Sequence, residues 1–310
     1  MNEQEQRAAL TLALMAAFAD GHNHDQERAA LQRAAASFGG NVDLTSVYEE
    51  VLLRRPELAS VTAVFATPEQ KQLAYEMAVG ICSADGATTE AEHDFLVRLA
   101  QALGVSAAQA ASVEDQASRI ASVSPASSAL DGALVSSVPA TGADLDKMIL
   151  NYSILNGALE LLPQSLASMA IIPLQMRMVY RIGKAHGYEL DSGHIKDLLA
   201  TLGVGLTSQY LEQFGRKLVG GLLGKIGGGL LGGLGRAGTG AAFSFATTYA
   251  LGEVAKRYYA GGRTIDTAGL QQSFAQMLGQ AKQMQGQYTA QIAEQARTLD
   301  LSKVMSAIRA

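Results

Sequence analysis

Residues 19–39 read ADGHNHDQERAALQRAAASFG, and residues 84–104 read ADGATTEAEHDFLVRLAQALG. The two stretches align without a gap at an offset of 65. Asp20 matches Asp85, Gly21 matches Gly86, Glu27 matches Glu92, Leu31 matches Leu96, Arg33 matches Arg98 and Gly39 matches Gly104. Asp25 and Glu90 correspond as acidic residues. Each copy reads as helix, tight turn, helix. Residues 8–19 and 72–84 are apolar at helical spacing. Asp-Gly then ends the helix, because glycine accepts a left-handed backbone cheaply. The next helix opens on acidic residues, which suit the positive end of the helix dipole, and closes at Gly39 or Gly104. Two helix pairs joined by residues 40–71 predict a compact helical domain with pseudo-twofold symmetry.

Composition extends this reading to the whole chain. Its 310 residues suffice for about two domains. An apolar fraction of 48% with 17% charged residues excludes a disordered chain. Aromatics make up only 6%, tryptophan is absent and glycine reaches 32, so the core must be rich in Ala and Leu. That favours close-packed helices over a β-sandwich. The single cysteine, Cys82, excludes a disulfide framework and a cysteine-based zinc site. The expected fold is all-α. A helical repeat bundle occupies 1–115 and an Ala/Ser/Pro linker 116–144, around the stretch SVSPASSALDGALVSSVPATG. A second helical domain with a Gly-rich hairpin fills 145–262, and an amphipathic C-terminal helix lies within 263–310.

The repeated A-D-G-x-x-x-[DE]-x-E-x-x-x-L resembles the tellurite-resistance protein TerB family, with the related N-terminal domain of DjlA-type co-chaperones, over about residues 5–115. The resemblance implies an all-helical domain in which acidic clusters from the two halves come together. It also implies a setting in bacterial stress and membrane-linked systems, and metal binding as proposed for such domains.

The residues can be read for metal on their own terms. Asp20, Asp25 and Glu27, with Asp85, Glu90 and Glu92, offer hard oxygen ligands for Ca²⁺ or Mg²⁺. His22 and His24 would tilt the first turn toward a transition ion. The spacing is not that of an EF-hand, since Gly follows the first Asp at once. Against this stands the reading in which the same carboxylates cap helix N-termini. Cys82 precedes the second Asp-Gly and reads as a buried core thiol, although His93 is a candidate base for it.

The rear half begins with LDKMILNYSILNGALELLP, apolar at helical spacing up to Pro163. In the next helical stretch Pro173 is expected to introduce a kink. SGHIKDLLATLG should open on a Ser192 cap. The blocks IIPLQMRMVYRIGKAHGYELD, LLATLG and ATTYALGE fall in the order found in the C-terminal domain of the YcjF family of putative bacterial inner-membrane proteins, which residues 145–260 resemble. That resemblance implies membrane association and work with a partner, and carries no catalytic residues with it.

Twelve of the 26 residues from 215 to 240 are glycine, and Gly220, Gly224, Gly228 and Gly232 form a G-x-x-x-G ladder, a glycine zipper. In a helix each would cost about 1 kcal/mol relative to Ala, so a close neighbour must compensate. Residues 237–255, with Ala241, Ser244, Thr248 and Gly252 on one stripe, are the expected partner, the chain turning near Arg236 to Gly238. A soluble helix pair, reversible interfacial insertion and a spanning hairpin all remain open. The apolar cores of the two segments, 18 residues over 218–235 and 16 over 237–252, are marginal for a span. A phosphate loop is excluded, because Gly224-Lys225 is followed by Ile226. Leu270, Phe274, Met277, Ala281, Met284 and Tyr288 step by four and three in the tail. They fit either packing on their own domain or homo-oligomerisation.

Charge divides the chain. Residues 1–110 hold 7 Lys and Arg against 15 Asp and Glu, and residues 161–263 hold 11 against 5. An anionic membrane surface suits the basic half better than nucleic acid, since no aromatic-plus-basic stacking pattern accompanies the scattered cations. The acidic N-terminus is not that of a signal peptide, so a cytoplasmic protein, associated with the inner membrane or not, is expected. No Ser/His/Asp order, zinc motif or nucleotide fingerprint is legible. The expectation is therefore a non-enzymatic stress- or envelope-associated protein. Its acidic domain docks an unknown protein partner or senses, and its rear domain faces the membrane or oligomerises. The alternative is a regulator controlled by a divalent metal at the Asp-Gly turns.

Overall fold

A computed structural model describes residues 3–21, 44–83, 88–122, 142–162, 169–202 and 234–300, together with Pro125, Ala167 and Val304. Among them every regular element is helical, so the all-α expectation holds. The described residues fall into two compact units, the first ending at Ser122 and the second holding the residues that follow.

The first unit contains α1 (Glu3–Ala17), α2 (Leu44–Leu52), α3 (Leu58–Thr62), α4 (Pro68–Cys82), α5 (Glu90–Leu103) and α6 (Ala107–Ala121). The stretch between the repeats is thus not a plain connector, since it carries α2 and α3. Three helix starts are fixed by reciprocal capping boxes: Thr67 with Gln70, Thr89 with Glu92, and Ser106 with Gln109. α5 closes at Gly104, at φ 71°, as its sequence predicts. α1 packs on α2, α3 and α4, and α4 packs on α5 and α6. α4 is therefore the inner helix, with Ala74, Tyr75, Met77, Ala78 and Val79 removed from solvent. α6 runs from Ala107 to Ala121. The second helix of the first repeat copy, within 22–43, lies outside the described residues.

The second unit contains α7 (Gly142–Leu161), α8 (Ile171–Ala185), α9 (Ser192–Thr201), α10 (Leu234–Ala260), α11 (Thr267–Met284), a 3₁₀ turn (Gln285–Tyr288) and α12 (Thr289–Thr298). α10 is its hub and packs on α7, α8 and α11, while α12 packs on α7. At 27 residues α10 is about 40 Å long. Three expectations change here. α8 begins at Ile171, so Pro173 sits in its first turn, where its missing N–H is not needed. The cap of α9 is Asp191, whose carboxylate accepts the His194 N–H, and not Ser192. α10 is already helical at Leu234 and continues through Arg236 to Gly238, so the chain does not turn there. The glycine ladder from Gly220 to Gly232 lies outside the described residues.

The small-residue stripe of α10 does meet a close helix, and that helix is α7. A Cβ on Gly252 would lie 2.6 Å from Ile149 Cγ2, and one on Gly157 would lie 3.1 Å from the Ala241 carbonyl. Thr248 lies on the same stripe. Its hydroxyl accepts from Asn156 Nδ2 and from Gln175 Nε2, each at 3.0 Å, so one buried hydroxyl ties α7, α8 and α10 together. One turn earlier Ser244 donates to Glu160 at 3.4 Å. In the tail, Leu270, Met277, Ala281 and Ile292 are buried within their own unit.

Candidate functional site

The six predicted metal ligands are only partly placed. Asp20 lies in the turn that closes α1, and Glu90 and Glu92 lie in the first turn of α5. Asp25, Glu27 and Asp85 lie outside the described residues, as do His22 and His24. Glu92 serves the helix it opens, since its carboxylate accepts the Thr89 N–H at 2.7 Å and the Thr89 hydroxyl at 2.9 Å. Among the described residues no group of three or more His, Cys, Asp or Glu is arranged to hold a metal ion.

Cys82 is buried, and its thiol points to the Ala16 carbonyl at 3.8 Å. His93, the base considered for it, instead faces Glu114, with Nδ1 3.3 Å from a carboxylate oxygen. The other Glu114 oxygen accepts the Tyr75 hydroxyl at 2.6 Å. Tyr75 is fully buried, and burial, reinforced by Glu114, holds its phenol far above the ordinary range. The result is a neutral phenol anchoring α4 to α6.

A groove of about 370 Å³ opens on the first unit between α1 and the α2–α3 corner. Its charged lining is Arg7, Glu50 and Arg55. Arg7 and Glu50 form an ion pair at 2.7 Å, with Ser46 within 3.4 Å of both. The sequence signal was present as Arg54-Arg55-Pro56 following an amphipathic helix, but nothing in it reveals that α1 would face this corner.

One end of the second unit gathers tyrosines and arginines. The Tyr188 and Tyr258 rings each lie 5.3 Å from the Tyr259 ring. The Arg263 guanidinium stands 5.8 Å over Tyr188. Arg257 and Arg263 are exposed, and Tyr188 and Tyr258 are half-buried. Lys256 is occupied by Asp146 and Glu253, and Lys184 by Glu189 at 2.5 Å. Among the described residues no helix is long and apolar enough to cross a membrane.

Comparison with known proteins agrees with the reading of the repeat. Residues 1–117 match the family model described as "Protein of unknown function (DUF533)", a TerB-like family. No curated protein and no solved structure matches the chain.

Proposed function

We propose, starting from the match of residues 1–117 to a TerB-like family, that this chain is a non-enzymatic docking protein of a bacterial stress or envelope system. Its first unit receives a protein partner and its second unit faces an anionic membrane from the cytoplasmic side. The observation that supports the membrane side is the tyrosine–arginine end of the second unit. Tyrosine rings suit the headgroup region, having an apolar body and a polar tip, and arginine adds attraction for anionic lipid. Arg257 and Arg263 are exposed there and make no ion pair among the described residues, whereas Lys184 and Lys256 are engaged by carboxylates. The resemblance of residues 145–260 to the YcjF family of putative inner-membrane proteins points the same way, and belongs to this proposal.

Flotation of the full chain with vesicles tests the reading. The native chain should float with phosphatidylglycerol-containing vesicles and stay behind with pure phosphatidylcholine. Arg257→Glu with Arg263→Glu should abolish flotation while the helical content is kept. A native chain that ignores anionic vesicles would refute the membrane reading.

A further inference from the structure

We infer that the groove of the first unit binds the carboxylate end of a short apolar peptide segment, the terminus of a partner chain. The groove is shallow and open, about 370 Å³, so it suits the end of a chain laid against it and not an enclosed small molecule. The chemistry of the ligand follows from which lining groups are already engaged. Thr11 gives its hydroxyl to the Arg7 carbonyl at 2.8 Å, and Ser60 gives its hydroxyl to the Glu57 carbonyl at 2.7 Å. Glu50 accepts from Arg7. What remains is an apolar wall of Ala8, Pro56, Val61 and Val64, with the Arg55 guanidinium and the Gln4 amide at its edge.

Arg55 is exposed and makes no ion pair among the described residues. Among the described residues the lining therefore carries one uncompensated positive charge, in a half of the chain that holds 7 Lys and Arg against 15 Asp and Glu over residues 1–110. A ligand with one negative charge and an apolar body complements it. A dianionic phosphate would exceed that charge and lie beside Glu50. A chain running through the groove would bring backbone amides past a wall with few free polar partners, whereas a chain terminus brings one carboxylate to one arginine.

The rim is also held in place. Arg55 N–H donates to the Glu50 carbonyl at 3.0 Å and Arg54 N–H to the Val51 carbonyl at 2.9 Å, a Schellman closure of α2. Arg54 occupies its left-handed position at φ 52°, where glycine is the usual residue. A non-glycine residue kept in that conformation, next to the arginine the groove requires, fits a binding rim.

The inference rests on the docking role of the first unit and not on the membrane reading, so a failed flotation leaves it standing. Calorimetry with the full chain tests it, using N-acetyl-Leu-Leu with a free carboxylate, its C-terminal amide, and N-acetyl-Leu-Glu-Leu-amide. The free acid should bind with a Kd on the order of 0.1–1 mM, and the amide at least tenfold more weakly. Arg55→Gln should erase that difference. Ser60→Trp, which places an indole over the groove from an exposed position, should abolish binding. Equal binding of acid and amide, equal binding of the internal-glutamate peptide, a preference that survives Arg55→Gln, or no binding to the native chain would each overturn it.

Discussion

Adding one methyl group at Gly252 should destabilise the second unit, although the same change in an open helix position stabilises. The local term favours alanine by about 1 kcal/mol in a helix interior. The tertiary term opposes it. The new Cβ would stand 2.6, 2.8 and 3.2 Å from three carbons of Ile149, a residue with no exposed surface. Ile149 is β-branched and in a helix has essentially one χ1 rotamer, so it cannot swing away. α7 and α10 would have to separate by roughly 1 Å to restore ordinary contact. That separation would stretch the 3.0 Å bond from Asn156 to Thr248, one turn away. Overpacking costs about 1–3 kcal/mol, and a weakened buried hydrogen bond about 1 kcal/mol more. The balance is a net loss of about 1–3 kcal/mol, a fall in melting temperature on the order of 5 °C. Gly279→Ala on α11 is the control, because nothing lies within 4 Å of its Cβ, and it should stabilise by about 0.5–1 kcal/mol. Thermal unfolding followed by circular dichroism reads both. In a double-mutant cycle Ile149→Ala should relieve Gly252→Ala, making the pair less destabilising than the sum by about 1 kcal/mol. Stabilisation by Gly252→Ala, or strict additivity with Ile149→Ala, would refute the close approach of α7 and α10.

Three further outcomes follow from the same geometry. Thr248→Val removes the acceptor shared by Asn156 and Gln175 and should cost about 2–4 kcal/mol in urea unfolding, because two buried amides lose a partner; a cost under about 1 kcal/mol would show that the seam is not held there. Burial pushes Tyr259 up to about 12 from an ordinary 10.0, and Tyr75 higher still. The folded state therefore holds these protons more tightly than the unfolded chain, so their contribution is intact below pH 10 and is lost as pH rises toward 12 and beyond. Phenolate absorbance from these two should appear only together with loss of helix, and ionisation of both near pH 10 with the helix intact would contradict it. Glu92→Ala removes half of the α5 capping box and should cost about 1 kcal/mol equally with and without Mg²⁺ or Ca²⁺; a cost seen only with the ion present would assign Glu92 to a metal site and not to the cap.

Helix starts and stops were legible because they are written within three or four residues. Thr89-x-x-Glu92 specifies its own cap, and Gly104 specifies its own left-handed closure. Asp191 took the cap expected of Ser192 because its carboxylate reaches the His194 N–H from one position earlier. Pro173, read as lying inside a longer helical stretch, falls in the first turn of α8 because that helix starts two residues before it. The stripe of Ala241, Ser244, Thr248 and Gly252 was correctly seen as a close-contact surface; among the described residues it meets α7, while the glycine ladder expected as its partner lies outside them. Of the candidate site residues, the acidic turns carried a motif, whereas the groove of Arg7 and Arg55 joins residues 48 apart with no shared pattern.

By itself, the sequence determined the helical class, the 65-residue repeat and the closure of α5 at Gly104. Periodicity, caps and glycine backbone freedom act over one or two turns, so the residues that decide them are adjacent. Only the tertiary structure decided that the α10 stripe meets α7, that Glu114 joins Tyr75 to His93, and that Arg55 stands beside an apolar wall with no ion pair among the described residues. Those outcomes depend on which buried surfaces fit at separations of 3 to 4 Å between segments far apart in the chain. A small residue records that a close neighbour is required, but its identity is set by the shape of the surface that comes to meet it.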